Sequence, residues 1–258
     1  SLVQSTGDNT KVLEITGTGG ASATQYSNLG VNILSTTVST DSAALTITGL
    51  AGKGTDAGAN KANSAGVNLS NYNYDFSGNP TTVGKTVATV VRSTGAAGAG
   101  AVKVYGVALN TSAGDFNDGV RIIGARVESD GANILVDGQA GSGANSNRGV
   151  TLQRAFNVDG GGTNVDAWIT AGTAGGSGNV EVYGNPVGGQ TVTGANNHGV
   201  ESNNATISAA AGSVHVTGVA GTGTSNNDGV TAYSFSTISV GSAGLTLQIS
   251  GFGNGTAG

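Results

Sequence analysis

Apolar and polar residues alternate along this chain in short bursts, and each burst closes on glycine. The clearest are Leu13-Glu-Ile-Thr-Gly17, Leu45-Thr-Ile-Thr-Gly49, Val102-Lys-Val-Tyr-Gly106, Ile134-Leu-Val-Asp-Gly138, Val180-Glu-Val-Tyr-Gly184, Val214-His-Val-Thr-Gly218 and Leu247-Gln-Ile-Ser-Gly251. A period of two predicts strands with one buried face, so Val214 and Val216 point inward while His215 and Thr217 point outward. The closing glycine then turns a corner, where a positive φ is expected. A second phrase alternates with the first: Asn28-Leu-Gly-Val31, Ser64-Ala-Gly-Val67, Asn117-Asp-Gly-Val120, Asn147-Arg-Gly-Val150, Asn197-His-Gly-Val200 and Asn227-Asp-Gly-Val230. A third, weaker β element centres on Val38, Val127, Ile207 and Val240, each seven positions before the next glycine-closed strand.

The Gly-Val phrase recurs at intervals of 36, 53, 30, 50 and 30 residues. The unit is therefore about 30 residues long, with two versions carrying roughly 20 more. Three short strands cannot bury an apolar face alone, but stacked units can, along one axis. The expected fold is all-β: a single parallel β-solenoid over 1–258 with about 7–9 coils, successive coils rising about 4.8 Å. The asparagines of the second phrase (Asn28, Asn117, Asn147, Asn197 and Asn227) would stack at one corner as a hydrogen-bonded ladder, Ser64 being the exception. Asparagine also tolerates the left-handed conformation that such a corner requires.

The extra segments of the long units run from about 71 to 98 and from about 156 to 176. Each holds a further apolar stretch (Val87, Val90, Val91; Val165, Trp168, Ile169), so each reads as a strand pair or an added coil. Only these two units place tyrosine before the corner glycine, at Tyr105 and Tyr183. An insertion folding back over an outward tyrosine would account for that pairing.

Composition narrows the class. Of 258 residues 47 are glycine and two are proline, only 10% are charged, and cysteine and methionine are absent. The abundance of Gly, Asn, Ser and Thr argues against helices, and the lack of a Gly-X-Y period excludes collagen. Disulfides and thiolate-bound zinc are excluded. No apolar run is long enough for a membrane helix. Net charge is −5, and every Lys and Arg lies at or before Arg154. An acidic chain whose last hundred residues hold no cation is a poor partner for nucleic acid or anionic membrane.

The cadence of Asn197-His-Gly-Val200 followed by Val214-His-Val-Thr-Gly-Val-Ala-Gly-Thr-Gly223 resembles the β-strand repeats of large secreted bacterial exoproteins of the filamentous-haemagglutinin-like, adhesin type. The resemblance runs along essentially the whole chain. It implies a right-handed parallel β-helix on or outside a bacterial surface. The asparagine-proline-asparagine-glycine secretion motif of such proteins is missing, so the resemblance implies a piece of the shaft. Neither end shows a polar cap, which favours continuation of the solenoid or end-to-end stacking with itself.

Candidate chemistry is thin. Polysaccharide-active β-helices bring carboxylates together from adjacent coils. Here His198 aligns with Leu29, Ala65, Asp118, Arg148 and Asp228, and such variety reads as a solvated corner. His215 sits in an equally mixed outward series. Stacked exposed charges at Asp118, Arg148, His198 and Asp228 would contribute only about 0–1 kcal/mol each. The glycine pattern at 253–258 lacks a surrounding βαβ unit, so it is not read as a dinucleotide site. No cofactor is expected; Ca²⁺ is the one ion that acidic, Asn-rich corners could hold, and the calcium-binding nonapeptide is absent. Tyr72, Tyr74 and Phe76 make one strand face aromatic, which is either cover for the solenoid or a platform for surface glycans.

These readings converge on a non-enzymatic structural or adhesive shaft of an extracellular bacterial surface or matrix protein. A subunit stacking head to tail into a filament is the first alternative, and a polysaccharide-active enzyme the second.

Overall fold

A computed structural model describes residues 1–6, 10–20, 28–52, 64–71, 88–95, 100–109, 115–143, 145–156, 163–186 and 194–253. Among the described residues all regular structure is strand, and every strand pairs in parallel. The first sheet stacks β1 (Leu2–Ser5), β4 (Thr37–Thr40), β7 (Thr89–Ser93), β10 (Ala125–Ser129), β13 (Ala167–Ala171), β16 (Ala205–Ala209) and β19 (Thr237–Val240). The second stacks β2 (Val12–Thr18), β5 (Ala44–Leu50), β8 (Val102–Val107), β11 (Ile134–Ala140), β14 (Val180–Pro186), β17 (Val214–Val219) and β20 (Leu247–Phe252). The third holds β3 (Val31–Leu34), β6 (Ala65–Ser70), β9 (Asp118–Ile123), β12 (Val150–Gln153), β15 (Val200–Asn203) and β18 (Val230–Tyr233). Strands therefore pair with the strand three places on, which is the topology of a parallel β-solenoid.

The core is a set of columns running along the axis. In the second sheet Ile47, Val104, Val136, Val182 and Val216 align by register and are buried. Val67, Val120, Val150 and Val200 form the matching column in the third sheet. In the first sheet the column is Val38, Val91, Val127, Ile169, Ile207 and Ile238. Two expectations change here. Val91 and Ile169 are ordinary members of that column, so each long unit adds one strand to each sheet. In the last unit the member is Ile238, and Val240 instead aligns with Ala209.

The glycines of both phrases have another cause than the one expected. The strand-closing glycines do not have positive φ; among the described residues the glycines that do are Gly124, Gly172, Gly175 and Gly244. Their role is close approach. A Cβ on Gly138 would overlap the carbonyl oxygen of Gly149, and one on Gly106 that of Gly119, both inside 3.0 Å. The second and third sheets touch here through bare backbone, glycine on glycine, in each successive unit. The left-handed residue at this corner is the one before the ladder position: Phe116, Ser146, Asn196 and Asn226, with φ of 61°, 57°, 60° and 51°.

The opposite corner, between the third sheet and the first, is made differently. A single residue of positive φ turns the chain between β9 and β10 (Gly124, φ 54°) and between β15 and β16 (Asn204, φ 49°). Between β6 and β7, and between β12 and β13, the same corner carries the insertions. They therefore occupy 71–88 and 154–166 rather than 71–98 and 156–176. The second is closed at its base by two antiparallel backbone bonds, Ala155 N–H to Val165 O (2.8 Å) and Val165 N–H to Ala155 O (2.9 Å). Ala88, Ile123, Ala155 and Val165 form a small apolar cluster at the roots of both insertions.

Candidate functional site

The outer face of the third sheet is where side-chain chemistry concentrates. Its inner strands are buried on both faces: β6 and β9 expose almost nothing along their length, whereas β3 exposes Asn32 and β18 is largely open. Two sets of polar side chains run across it, one made of amides and one of charges.

The amides stand at the glycine corner. Asn117 Nδ2 donates to Asn147 Oδ1 at 2.9 Å, and Asn147 Nδ2 to Asn197 Oδ1 at 3.0 Å. The same oxygens accept the backbone N–H of the preceding residue in the stack, Asn117 N to Asn147 Oδ1 and Asn147 N to Asn197 Oδ1, both 3.0 Å. Asn197 N–H continues to Asn227 Oδ1 at 3.0 Å. Each oxygen thus replaces a strand ladder where the backbone leaves the sheet, which is how a turn buried in a solenoid satisfies its polar groups. Toward the other end Ser64 interrupts the series. Its hydroxyl and the Asn28 Nδ2 group are both buried without a hydrogen-bond partner.

Two further ladders were not read from the sequence. Asn145 N–H donates to Asp115 Oδ1 (2.8 Å), and Asn145 Oδ1 accepts from Ala195 N–H (2.9 Å). At the start of the second sheet Asn133 Oδ1 accepts from Asn179 N–H (2.9 Å), and Asn179 Oδ1 from Ser213 N–H (2.8 Å). The latter had a visible signal: Asn133, Asn179 and Ser213 each stand immediately before an opening strand residue.

The charges occupy two neighbouring rows. One is the variable position of the second phrase (Asp118, Arg148, His198, Asp228), and the other lies three residues on (Arg121, Thr151, Glu201, Thr231). The expected solvated corner is not found. Asp118 is 1% exposed, Glu201 3% and His198 7%; only Asp228 is open to water. Arg121 Nε donates to Asp118 Oδ2 at 2.8 Å, and its Nη2 reaches the Phe116 carbonyl at 2.9 Å. Arg148 Nε donates to Glu201 Oε2 at 2.6 Å, while the Arg148 backbone N–H donates to Asp118 Oδ1 at 3.1 Å. Tyr233 donates to the other oxygen, Glu201 Oε1, at 3.2 Å. The guanidinium of Arg148 also lies 5.7 Å from the centroid of the half-exposed Phe116 ring.

His198 closes this stack. Burial lowers its pKa below the ordinary imidazole value; Arg148 adds to that, while Glu201 and Asp228 oppose it. The imidazole is therefore neutral at neutral pH. Its Nδ1 accepts the Asp228 backbone N–H at 3.4 Å, which puts the proton on Nε2, facing Glu201 Oε2 at 3.7 Å. Both Glu201 oxygens and both Asp118 oxygens are already engaged. Chemically, the arrangement holds neighbouring coils in register. Removing one partner would strand a buried charge, which is strongly destabilising.

Other candidate residues fall elsewhere. Tyr72, Tyr74 and Phe76 lie outside the described residues. Tyr105 and Tyr183 flank Asp137 by register on the outer face of the second sheet, far in the fold from the insertion corner. The described part of the second insertion packs at its own neck rather than over Tyr183, whose hydroxyl donates to Glu181 at 3.3 Å. Burial pushes the Asp137 carboxyl above its ordinary pKa. His215 is a half-buried outward residue of β17. Among the described residues no group of three or more His, Cys, Asp or Glu is placed to hold a metal ion.

No family model, curated protein or solved structure matches this chain. The fold is carried by the parallel sheets and their register alone.

Proposed function

We infer that this solenoid is a shaft segment of an extracellular bacterial surface or matrix protein, of the filamentous-haemagglutinin-like exoprotein type, and that its work is mechanical rather than catalytic. The observation that carries this reading is the continuity of the stack. Three parallel sheets hold register from one end of the described chain to the other, and buried amide ladders bridge the coils where the sheets break. A rod of this kind resists bending because every coil is bonded to the next through backbone.

Stacking of coils within one long polypeptide separates the shaft from the self-assembling filament, in which separate copies stack. The denatured mass of the native polypeptide, detected with an antibody to this chain on intact and on lysed cells, tests both. A mass several times 24.8 kDa with staining of intact cells supports the shaft. A mass near 24.8 kDa favours the filament, and signal confined to lysed cells defeats both.

A further inference from the structure

Over much of the outer face of the first sheet the residues are small and carry hydroxyls, and in the middle of the stack this chemistry changes. Thr37 and Ser39 lie on one side of it, and Thr206, Ser208, Thr237 and Ser239 on the other. Between them the aligned positions hold Val90, Arg126 and Trp168 in one row and Arg92, Glu128 and Thr170 in the other. This change of chemistry coincides with the two insertion necks, which rise beside it and enclose a depression of about 370 Å³. That volume is at the small end of the roughly 300–1,000 Å³ typical of small-molecule sites.

Its surfaces divide by chemistry. Ala88, Val90 and Val165 supply an apolar floor, while Thr163, Asn164 and Asp166 supply a polar rim. The guanidinium of Arg126 stacks 4.3 Å from the centroid of the half-buried Trp168 ring, which holds it flat and oriented. Arg126 is poorly satisfied by the protein. Its nearest carboxylate, Glu128, is 3.8 Å away, beyond hydrogen-bond distance, and its buried Nε has no partner. Arg154, close by, is by contrast tied directly to Asp166 and so neutralises that carboxylate. The depression therefore presents the Nη edge of a planar cation whose ion pair with Glu128 is long, at 3.8 Å.

We propose that this depression binds a single acidic pyranose, a sugar ring carrying one carboxylate. The Arg126 fork receives the carboxylate, the geometry at which arginine excels. The apolar floor meets the C–H face of the ring, and the Thr163–Asp166 rim meets its hydroxyls. The site stands whether or not the solenoid is a shaft, since it depends on one corner of the fold and on no end of the chain.

Trp168 is the sole tryptophan, so emission excited selectively at the red edge of tryptophan absorption, where the six tyrosines do not absorb, reports from this site alone. The chain is titrated with D-glucuronate, D-galacturonate and N-acetylneuraminate, with D-glucose and D-galactose as neutral counterparts and benzoate as a flat carboxylate. At least one acidic sugar should give a saturable change, with its neutral counterpart and benzoate at least about tenfold weaker. Arg126→Gln should bring the acidic sugar down to the neutral one with the far-UV circular dichroism intact. Arg126→Lys, which keeps the charge but loses the fork, should fall between. Saturation by none of the three acidic sugars overturns the proposal, as does tighter binding of benzoate or full retention of the preference in Arg126→Gln. If Arg126→Gln proves misfolded, calorimetry on Trp168→Thr, which restores the residue type of the neighbouring coil, must show the same loss of the acidic sugar.

Discussion

The two corners of the third sheet solve opposite problems. Where the chain passes from the second sheet to the third, backbones meet glycine on glycine, amides are buried in ladders, and charges are locked between coils. Where it passes from the third sheet to the first, a single left-handed residue suffices in some coils, and a long excursion is accepted in others. The difference lies in what each corner must satisfy. The glycine corner stands inside the packed stack, so any added atom meets backbone. The insertion corner needs only one residue in its shortest connections, and the excursion at 154–166 is closed at its neck by the Ala155–Val165 pair. The connection lengths follow suit: between the third and first sheets they range from 1 residue to 18, and between the second and third only from 9 to 14.

The most severe way to break the contrast is Gly138→Ala. The new Cβ would meet the Gly149 carbonyl, a backbone atom that cannot move without dragging two sheets apart. A loss of about 4–5 kcal/mol, or failure to fold, is expected. Gly175→Ala is the counterpart outside the corner. A Cβ there meets nothing, and only its φ of 84° is strained, so a loss near 1 kcal/mol is expected. Thermal melts that fail to separate the two variants would remove the close-approach account.

Asn147→Ala comes next. It strips the acceptor of Asn117 N–H and Nδ2 and the donor to Asn197, all buried. Leaving such groups unpaired costs about 1–3 kcal/mol each, partly relieved by entering water, so a total near 3 kcal/mol is expected in urea melts. Ser64→Asn runs the same argument in reverse. An amide at 64 would bring an acceptor within the reach that Asn147 has toward Asn117, and Asn28 Nδ2 now lacks one. A gain of about 1 kcal/mol is expected. Destabilisation instead would mean that the ladder has a different geometry at that end.

The strands, their parallel stacking and the inward columns could be read from period two and from the recurring glycine. What the sequence hid was cause. A glycine before a corner suggests positive φ, yet the residues that carry it are Phe116, Ser146, Asn196 and Asn226, too unlike one another to form a pattern. The charged stack was hidden for a related reason. Asp118, Arg148, His198 and Asp228 look unconstrained when read down one column, and variety usually means solvent. Their partners are in the adjacent row and the adjacent coil: Arg148 answers Glu201, which is 53 residues on. A column whose members differ can be constrained as tightly as one whose members agree, provided each suits its neighbour. The depression at Trp168 had only an outward tryptophan to announce it, and its walls come from segments far apart in sequence.

A smaller effect follows from His198. Its folded pKa lies below the ordinary value, so the unfolded chain takes up the proton first as pH falls. Stability is then full above the unfolded value of about 6.5 and declines as pH drops through the interval below it. His198→Gln should flatten the melting temperature between about pH 7 and 5.5. An unchanged slope would place the dependence on the carboxylates instead.

The smallest effect belongs to the open corner and sharpens the contrast most. Replacing residues 157–162 by Gly-Asn-Gly leaves both neck hydrogen bonds between Ala155 and Val165 in place, and with them the apolar cluster at the roots of the insertions. Closing a shorter loop changes chain entropy only as the logarithm of its length, a matter of about 0.5 kcal/mol. The melting temperature should therefore stay within a few degrees of the parent, far from the collapse expected for one methyl group at Gly138. A large loss would mean that the excursion supports the sheet beneath it, and the two corners would then differ in shape but not in tolerance.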